Sequence, residues 1–257
     1  MDREREKFGH LAQFGKALAV IRKRVRADLA RRGLPKEKVL ALIVSLLDRT
    51  HLRLGNPQYV KANNSFGLST LLTRHVRIVS GVLRMRFRGK SGKWHERRVS
   101  DQSLVRIVRS CRDLPGQALF QYRTANGTLH CIGSVDVNMY IIAIAGGHFT
   151  AKDFRTWAGS VTALSKLTDL PTPGTKTQAR KTLVAVYDHV AAELGNTRAV
   201  CRKSYIHPSV PRAFLQGTLP SGRKCTSLSA AENSLLRLLR RQTSNRIDVG
   251  ATLIAVA

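Results

Sequence analysis

Lys152, Arg155 and Gly159 fall within one helical stretch, two cations beside a residue with no side chain. That combination suits a phosphate backbone, which can come close and accept hydrogen bonds from the cations. Within Thr150-Ala-Lys-Asp-Phe-Arg-Thr-Trp157, Thr150 stands as an N-cap with Asp153 three residues on. Phe154, Trp157, Ala158 and Val161 form the stripe that turns inward. Taken alone, an exposed Lys/Arg pair is as readily a solvated helix face. A second basic array lies in Leu83-Arg84-Met85-Arg86-Phe87-Arg88, where strand alternation puts three arginines on one side. Like charges side by side repel, so an anionic partner accounts for this face more economically than bare solvent does.

The whole chain carries the same bias. Its 257 residues hold 44 Lys+Arg against 16 Asp+Glu, a formal charge of +28 that points to a polyanionic partner. A hydrophobic fraction of 43% allows a real core and excludes disorder for most of the length. No apolar run approaches the ~18 residues of a membrane span. The N-terminus, MDREREKFGH, lacks a signal-peptide hydrophobic region. Cys111, Cys131, Cys201 and Cys225 make no C-x-x-C pair and no zinc spacing, so four buried, reduced thiols are expected. Neither H-E-x-x-H, nor a P-loop, nor a dinucleotide fingerprint occurs, so no metal and no bound nucleotide is indicated. A soluble intracellular polyanion binder is the expectation.

Several elements must position these residues. Leu18, Ile21, Val25 and Leu29 recur at helical spacing up to Gly33, and a second, nearly all-apolar helix runs from Pro35 through Leu52 to a stop at Gly55 and Pro57. From about Gly67 to Val99 the period changes to two. Two strands meet at Gly89-Lys90-Ser91-Gly92, giving a small antiparallel sheet. Helices are expected at Asp101–Cys111, Ser134–Ala145, Thr150–Leu164, Lys176–Leu194 and Ser229–Gln242, the last with a Ser229-x-x-Glu232 capping box. Thr168 to Thr175 reads as a linker, and Ile247 to Ala257 as an apolar tail. The fold class is therefore α+β and mainly helical: a sheet over 67–99 carrying the lysine hairpin, with 1–66 and 100–257 helical.

The run AKDFRTW, preceded by CRDLPGQALFQY and SVDVN, resembles the catalytic domain of type IB DNA topoisomerases, in their compact bacterial and viral branch. HLRLGN, NNSFGLSTL and FRGKSGKWH upstream, and LGNTRAVCRKSYIHP downstream, extend the match over roughly residues 1 to 210. The resemblance implies the fold of DNA breaking-rejoining enzymes across 1–257. It also implies an active-site set of Arg53, Lys90, Arg155, Asn196 and Tyr205. Asn196 stands where the viral and larger eukaryotic enzymes carry His. The chain starts with the residues that follow the family's N-terminal β domain, so an isolated catalytic domain is expected.

By the same resemblance, the Tyr205 hydroxyl attacks a DNA phosphodiester, forms a 3′-phosphotyrosyl link and expels a 5′-hydroxyl, which later reseals the strand. Arg53 and Arg155 are expected to stabilise the transition state, Asn196 to donate a hydrogen bond to a phosphate oxygen, and Lys90 to protonate the departing oxygen. Lys152, Arg84, Arg86 and Arg88 are the further DNA-binding candidates. The implied partner is double-stranded DNA, met by a monomer in the cytoplasm and nucleoid, with no membrane, cofactor or metal. Stored bond energy makes ATP unnecessary.

Each residue also has a plainer reading. Arg53 could serve a helix C-terminus, Lys90 could be an idle hairpin lysine, and Asn196 could end the Lys176–Leu194 helix. Tyr205 is one of five tyrosines. The ordered set of five is what lifts them. A tyrosine recombinase shares the Arg, Lys, Arg, Tyr chemistry, but usually has His where Lys152 stands. A non-enzymatic basic DNA-binding module would need only the charge.

Overall fold

Capping side chains decide where several helices begin. Asp101 accepts from the Ser103 and Leu104 amides, Asn56 from Gln58, Thr175 from Gln178 and Thr197 from Val200, the pattern that satisfies first-turn N–H groups. The computed structural model describes residues 8–171, 173–220 and 229–241. In chain order its elements are α1 (Leu11–Leu29), α2 (Lys36–Thr50), α3 (Pro57–Asn63), β1 (Val76–Val79), β2 (Val82–Arg88), β3 (Trp94–Val99) and α4 (Gln102–Arg112). There follow β4 (Gln121–Arg123), β5 (Leu129–Cys131), α5 (Ser134–Ala145), α6 (Ala151–Thr168), α7 (Lys176–Leu194), α8 (Arg198–Ser204), α9 (Ser209–Leu215) and a last helix, α10, over 230–241. This is the mainly helical α+β architecture expected.

The chain divides into two compact units, one of residues 20–154 and one of 1–19 with 155–257. The core of the 20–154 unit is α2. Val39 through Val44, Leu46 and Leu47 are all buried, each Val, Leu or Ile side chain among them stabilising the fold by roughly 1.5–3 kcal/mol. The sheet runs β1-β2-β3, antiparallel throughout, with Arg84 opposite Arg98, Arg86 opposite Glu96 and Arg88 opposite Trp94. Leu83, Met85 and Phe87 point into the core and the three arginines point out, as the alternation predicted. Near the end of α1, the Asp28 carboxylate is 2% exposed and accepts hydrogen bonds from Arg24, Arg31 and, at 2.8 Å, the Tyr140 hydroxyl of α5.

In the other unit, Trp157 of α6 is the anchor. Its ring lies edge-on to Phe14 at 6.2 Å, and its Nε1 donates to Glu232 at 3.1 Å. Glu232 also accepts from the Ser229 amide, while its own amide donates to Ser229 Oγ, so the expected capping box of α10 is formed.

Some expectations need correction. Helix α2 ends at Thr50, not Leu52, because His51 adopts the left-handed conformation (φ 54°) and its amide caps back onto the Leu47 carbonyl. The 67–75 stretch is two short 3-10 turns rather than strand, and β1 completes the sheet instead. The stretch expected to be wholly helical after residue 100 contains the β4–β5 hairpin. Helix α6 runs about a turn beyond Leu164. Cys111 and Cys201 are buried but Cys131 is exposed on β5, so the thiols do not share one environment. Burial pushes the Cys111 thiol up to about 12. Cys225, Gln242 and the apolar tail lie outside the described residues. Among the described residues, no helix is long and apolar enough to cross a membrane.

Candidate active site

Arg53 sits just past α2, in a connecting segment without regular structure that a neighbouring segment holds in place. Its carbonyl accepts from the Leu68 amide at 2.9 Å, and Ser69 Oγ bridges the amide and carbonyl of Gly55 at 3.1 and 3.2 Å. The two backbones touch because Gly67 has no side chain. A Cβ there would meet the Leu54 backbone and the Gly55 nitrogen at 2.6 Å. The same segment grips the β2 end: the Phe66 amide donates to the Arg88 carbonyl at 2.8 Å, and Ser65 Oγ to the Gly89 carbonyl at 3.1 Å. Lys90 opens the 3-10 turn that follows. HLRLGN, NNSFGLSTL and FRGKSGKWH thus converge on one cavity of about 840 Å3, and Arg53, Arg88 and Lys90 are among its lining residues. Three cations around one concave space form a ready receptor for phosphate.

Arg155, Asn196 and Tyr205 lie in the other unit. Helix α6 is well started: Asp153 accepts from the Thr150 amide and hydroxyl at 2.7 and 3.1 Å, and Asn138 from the Ala151 amide at 3.1 Å. Arg155 is 3% exposed, so it is no solvated surface cation and does not share the exposure of Lys152. One guanidinium nitrogen donates to the Leu194 carbonyl at 2.9 Å. Its central carbon lies 4.9 Å from the centre of the Tyr205 ring, within cation–π range. A buried arginine keeps its charge where a lysine would tend to lose it.

Asn196 follows the end of α7. The left-handed position there belongs to Gly195 (φ 62°), and the Asn196 amide closes the turn onto the Ala191 carbonyl at 2.8 Å. The cap is made by glycine and backbone, so it does not account for an asparagine side chain. Tyr205 is half-buried at the C-terminal cap of α8, its amide donating to Cys201. His207, two residues on, is engaged structurally: Nδ1 accepts from the Ser209 amide at 3.1 Å and the ring meets Phe8 edge-on.

The structure therefore brings Arg53 and Lys90 to one cavity and Arg155 into contact with Tyr205. Arg84, Arg86 and Arg88 share the exposed sheet face, where Arg86 lies over the exposed Trp94 ring at 5.1 Å. Gly159 is not open to a phosphate backbone: a Cβ there would lie 2.6 Å from the Tyr205 carbonyl oxygen. Arg88, read only as a strand-face contact, also lines the cavity. Its place as the last β2 residue before the Lys90 turn was the available signal. Among the described residues, no group of three or more His, Cys, Asp or Glu side chains is placed to hold a metal ion.

A family model described as the catalytic core of eukaryotic DNA topoisomerase I matches residues 1–214. The chain belongs to that family. The DNA topoisomerase 1B of Acanthamoeba polyphaga mimivirus is 30% identical to it over 210 residues, which make up 79% of this chain and 62% of that protein. The chain thus spans less than two thirds of the length of that relative.

Proposed function

We propose that this chain relaxes supercoiled double-stranded DNA by transient cleavage of one strand through a 3′-phosphotyrosyl intermediate. The contact of Tyr205 with the buried Arg155 guanidinium is the observation that carries this reading most directly. In it, the Tyr205 oxygen bonds to phosphorus, its phenol proton passing to solvent, as the bond from phosphorus to the 5′-oxygen breaks. Lys90 supplies the proton that leaves with the 5′-hydroxyl, worth roughly 100–10,000-fold in rate for so poor a leaving group. Arg155 and Arg53 neutralise the charge that grows on the non-bridging oxygens, and Asn196 adds a hydrogen bond there. Strand rotation follows, and attack by the 5′-hydroxyl on the phosphotyrosine reverses the step. The number of phosphodiesters is conserved, so no nucleotide need be hydrolysed.

Duplex DNA is the substrate in this reading, bound by a monomer associated with the nucleoid, and Arg84, Arg86, Arg88 and Lys152 make outer phosphate contacts. The sheet face supports that role. Arg84 stands between Arg77 and Arg98 on its neighbouring strands, a like-charge cluster that Glu96, 3.3 Å from Arg98, offsets only in part and that a phosphate would relieve further. A plasmid assay in excess chelator without ATP tests the proposal. Relaxation is expected, and an absolute requirement for magnesium or ATP would contradict it.

A further inference from the structure

We propose that Gly159 and Ser160 of α6 are positioning residues that hold the Tyr205 backbone and so set its phenol against Arg155. The functional part of this inference rests on the reading of Tyr205 as the nucleophile.

Gly159 is one helical turn beyond Arg155, so the two share a face of α6. A Cβ at Gly159 would meet the Tyr205 carbonyl oxygen at 2.6 Å and a Leu194 methyl carbon at 3.2 Å. Leu194 is also the residue whose carbonyl accepts from Arg155. One helix face thus touches the tyrosine twice, with the Arg155 cation on its ring and the bare glycine backbone on its carbonyl.

Ser160 is fully buried and fastens the next peptides. Its Oγ accepts from the His207 amide at 2.9 Å. Its single proton has two carbonyls in reach, Thr156 at 2.8 Å and Tyr205 at 3.3 Å, and the shorter contact claims most of it. From the other side, the Tyr205 and Ile206 amides both donate to the Cys201 carbonyl, at 2.9 and 3.1 Å. The backbone around Tyr205 is therefore fixed between α6 and α8, which leaves the ring only its side-chain torsions.

In-line attack tolerates little error. Reacting atoms must come within about 3–3.5 Å, and a displacement of about 1 Å can cost on the order of 100-fold in rate. An added methyl at Gly159 presses on a backbone oxygen, not on a flexible chain end, so Tyr205 itself must move. Removal of the Ser160 hydroxyl frees the His207 amide and loosens the same peptide.

The test uses the full chain with 3-fluorotyrosine at Tyr205, as parent, Gly159→Ala and Ser160→Ala. Fluorine NMR reads ring placement against Arg155 without any need for catalysis. Single-turnover cleavage of a nicked duplex reads the chemical step, while duplex affinity and melting temperature report binding and folding. Both variants should shift the fluorine resonance and cleave roughly 10–100-fold more slowly. Duplex affinity should stay near the parent and the shape of the pH–rate profile should not change, while the melting temperature of each variant falls by a few degrees, from the 2.6 Å backbone contact in one and the unpaired His207 amide in the other. An unmoved resonance with cleavage within about 3-fold of the parent would overturn the proposal, as would a rate that falls only in step with duplex affinity while the resonance stays put. If the parent itself forms no adduct on Tyr205, the nucleophile reading has failed. The fluorine shift then still decides whether Gly159 and Ser160 hold the tyrosine.

Discussion

A guanidinium that is 3% exposed, tied to one carbonyl and lying 4.9 Å from a phenol ring, has its position set before any substrate arrives. Preorganised charge of this kind is worth more than charge that must be gathered during the reaction. Arg155→Lys keeps one positive charge but loses the planar fork and its bond to Leu194, so single-turnover cleavage should fall about 100–1,000-fold with duplex affinity little changed. Lys90 can be separated from it chemically. Lys90→Ala should slow cleavage of an ordinary duplex by roughly 100–10,000-fold. It should cleave a duplex with sulfur in place of the departing 5′-oxygen nearly as fast as the parent does, since a thiolate needs no proton to leave. A defect equally deep on both substrates would remove Lys90 from the acid's role. The residue types at these positions were legible in the sequence as an ordered set. The burial of Arg155 was not, because Lys152 and Arg155 differ by one helical turn and only tertiary packing makes one exposed and the other enclosed.

Two contacts between elements in the 20–154 unit lend themselves to measurement. Burial raises the Asp28 carboxyl, but hydrogen bonds from Arg24, Tyr140 and Arg31 outweigh it and hold the group below the usual carboxylate range. A depressed folded value means the unfolded chain takes up the proton first. The contribution is therefore complete above the ordinary value of about 3.9 and fades as pH falls through the lower folded one. Asp28→Asn should be less stable than the parent at pH 7 by denaturant unfolding, and the gap should shrink as pH drops below about 4. Tyr140→Phe should cost about 1.5–3 kcal/mol at neutral pH through the lost hydrogen bond to a charged carboxylate. Gly67→Ala pushes the Arg53 segment away from its partner at a 2.6 Å contact with backbone, so it should lower both the melting temperature and cleavage. Helices with polar caps or full apolar periods, such as α4, α5 and α7, were readable from the chain within a residue or two. The seven-residue α3, α8 and α9 and the three-residue strands β4 and β5 were not. Each is too short to show a period: α3 and α8 are set by their Asn56 and Thr197 caps, and the two strands by pairing with each other.

At the scale of the molecule the dominant fact is +28. Binding that neutralises about six phosphates releases their counterions, so duplex affinity should drop on the order of 1,000-fold between 50 and 200 mM salt. A flat binding curve over that range would contradict the electrostatic account of both the overall charge and the arginine face of β2. Charge alone, however, would serve a passive DNA binder equally well. The claim that separates an enzyme from such a binder is the covalent bond to Tyr205, and the direct measurement is to trap it. Plasmid relaxation by the parent, stopped mid-course with denaturant, should leave protein on the 3′-phosphate side of the nick and a free 5′-hydroxyl. Peptide mapping should find the nucleotide on Tyr205, and Tyr205→Phe should bind DNA nearly as well while forming no adduct. Protein on the 5′ end, an adduct on another tyrosine, or relaxation that survives in Tyr205→Phe would contradict the account.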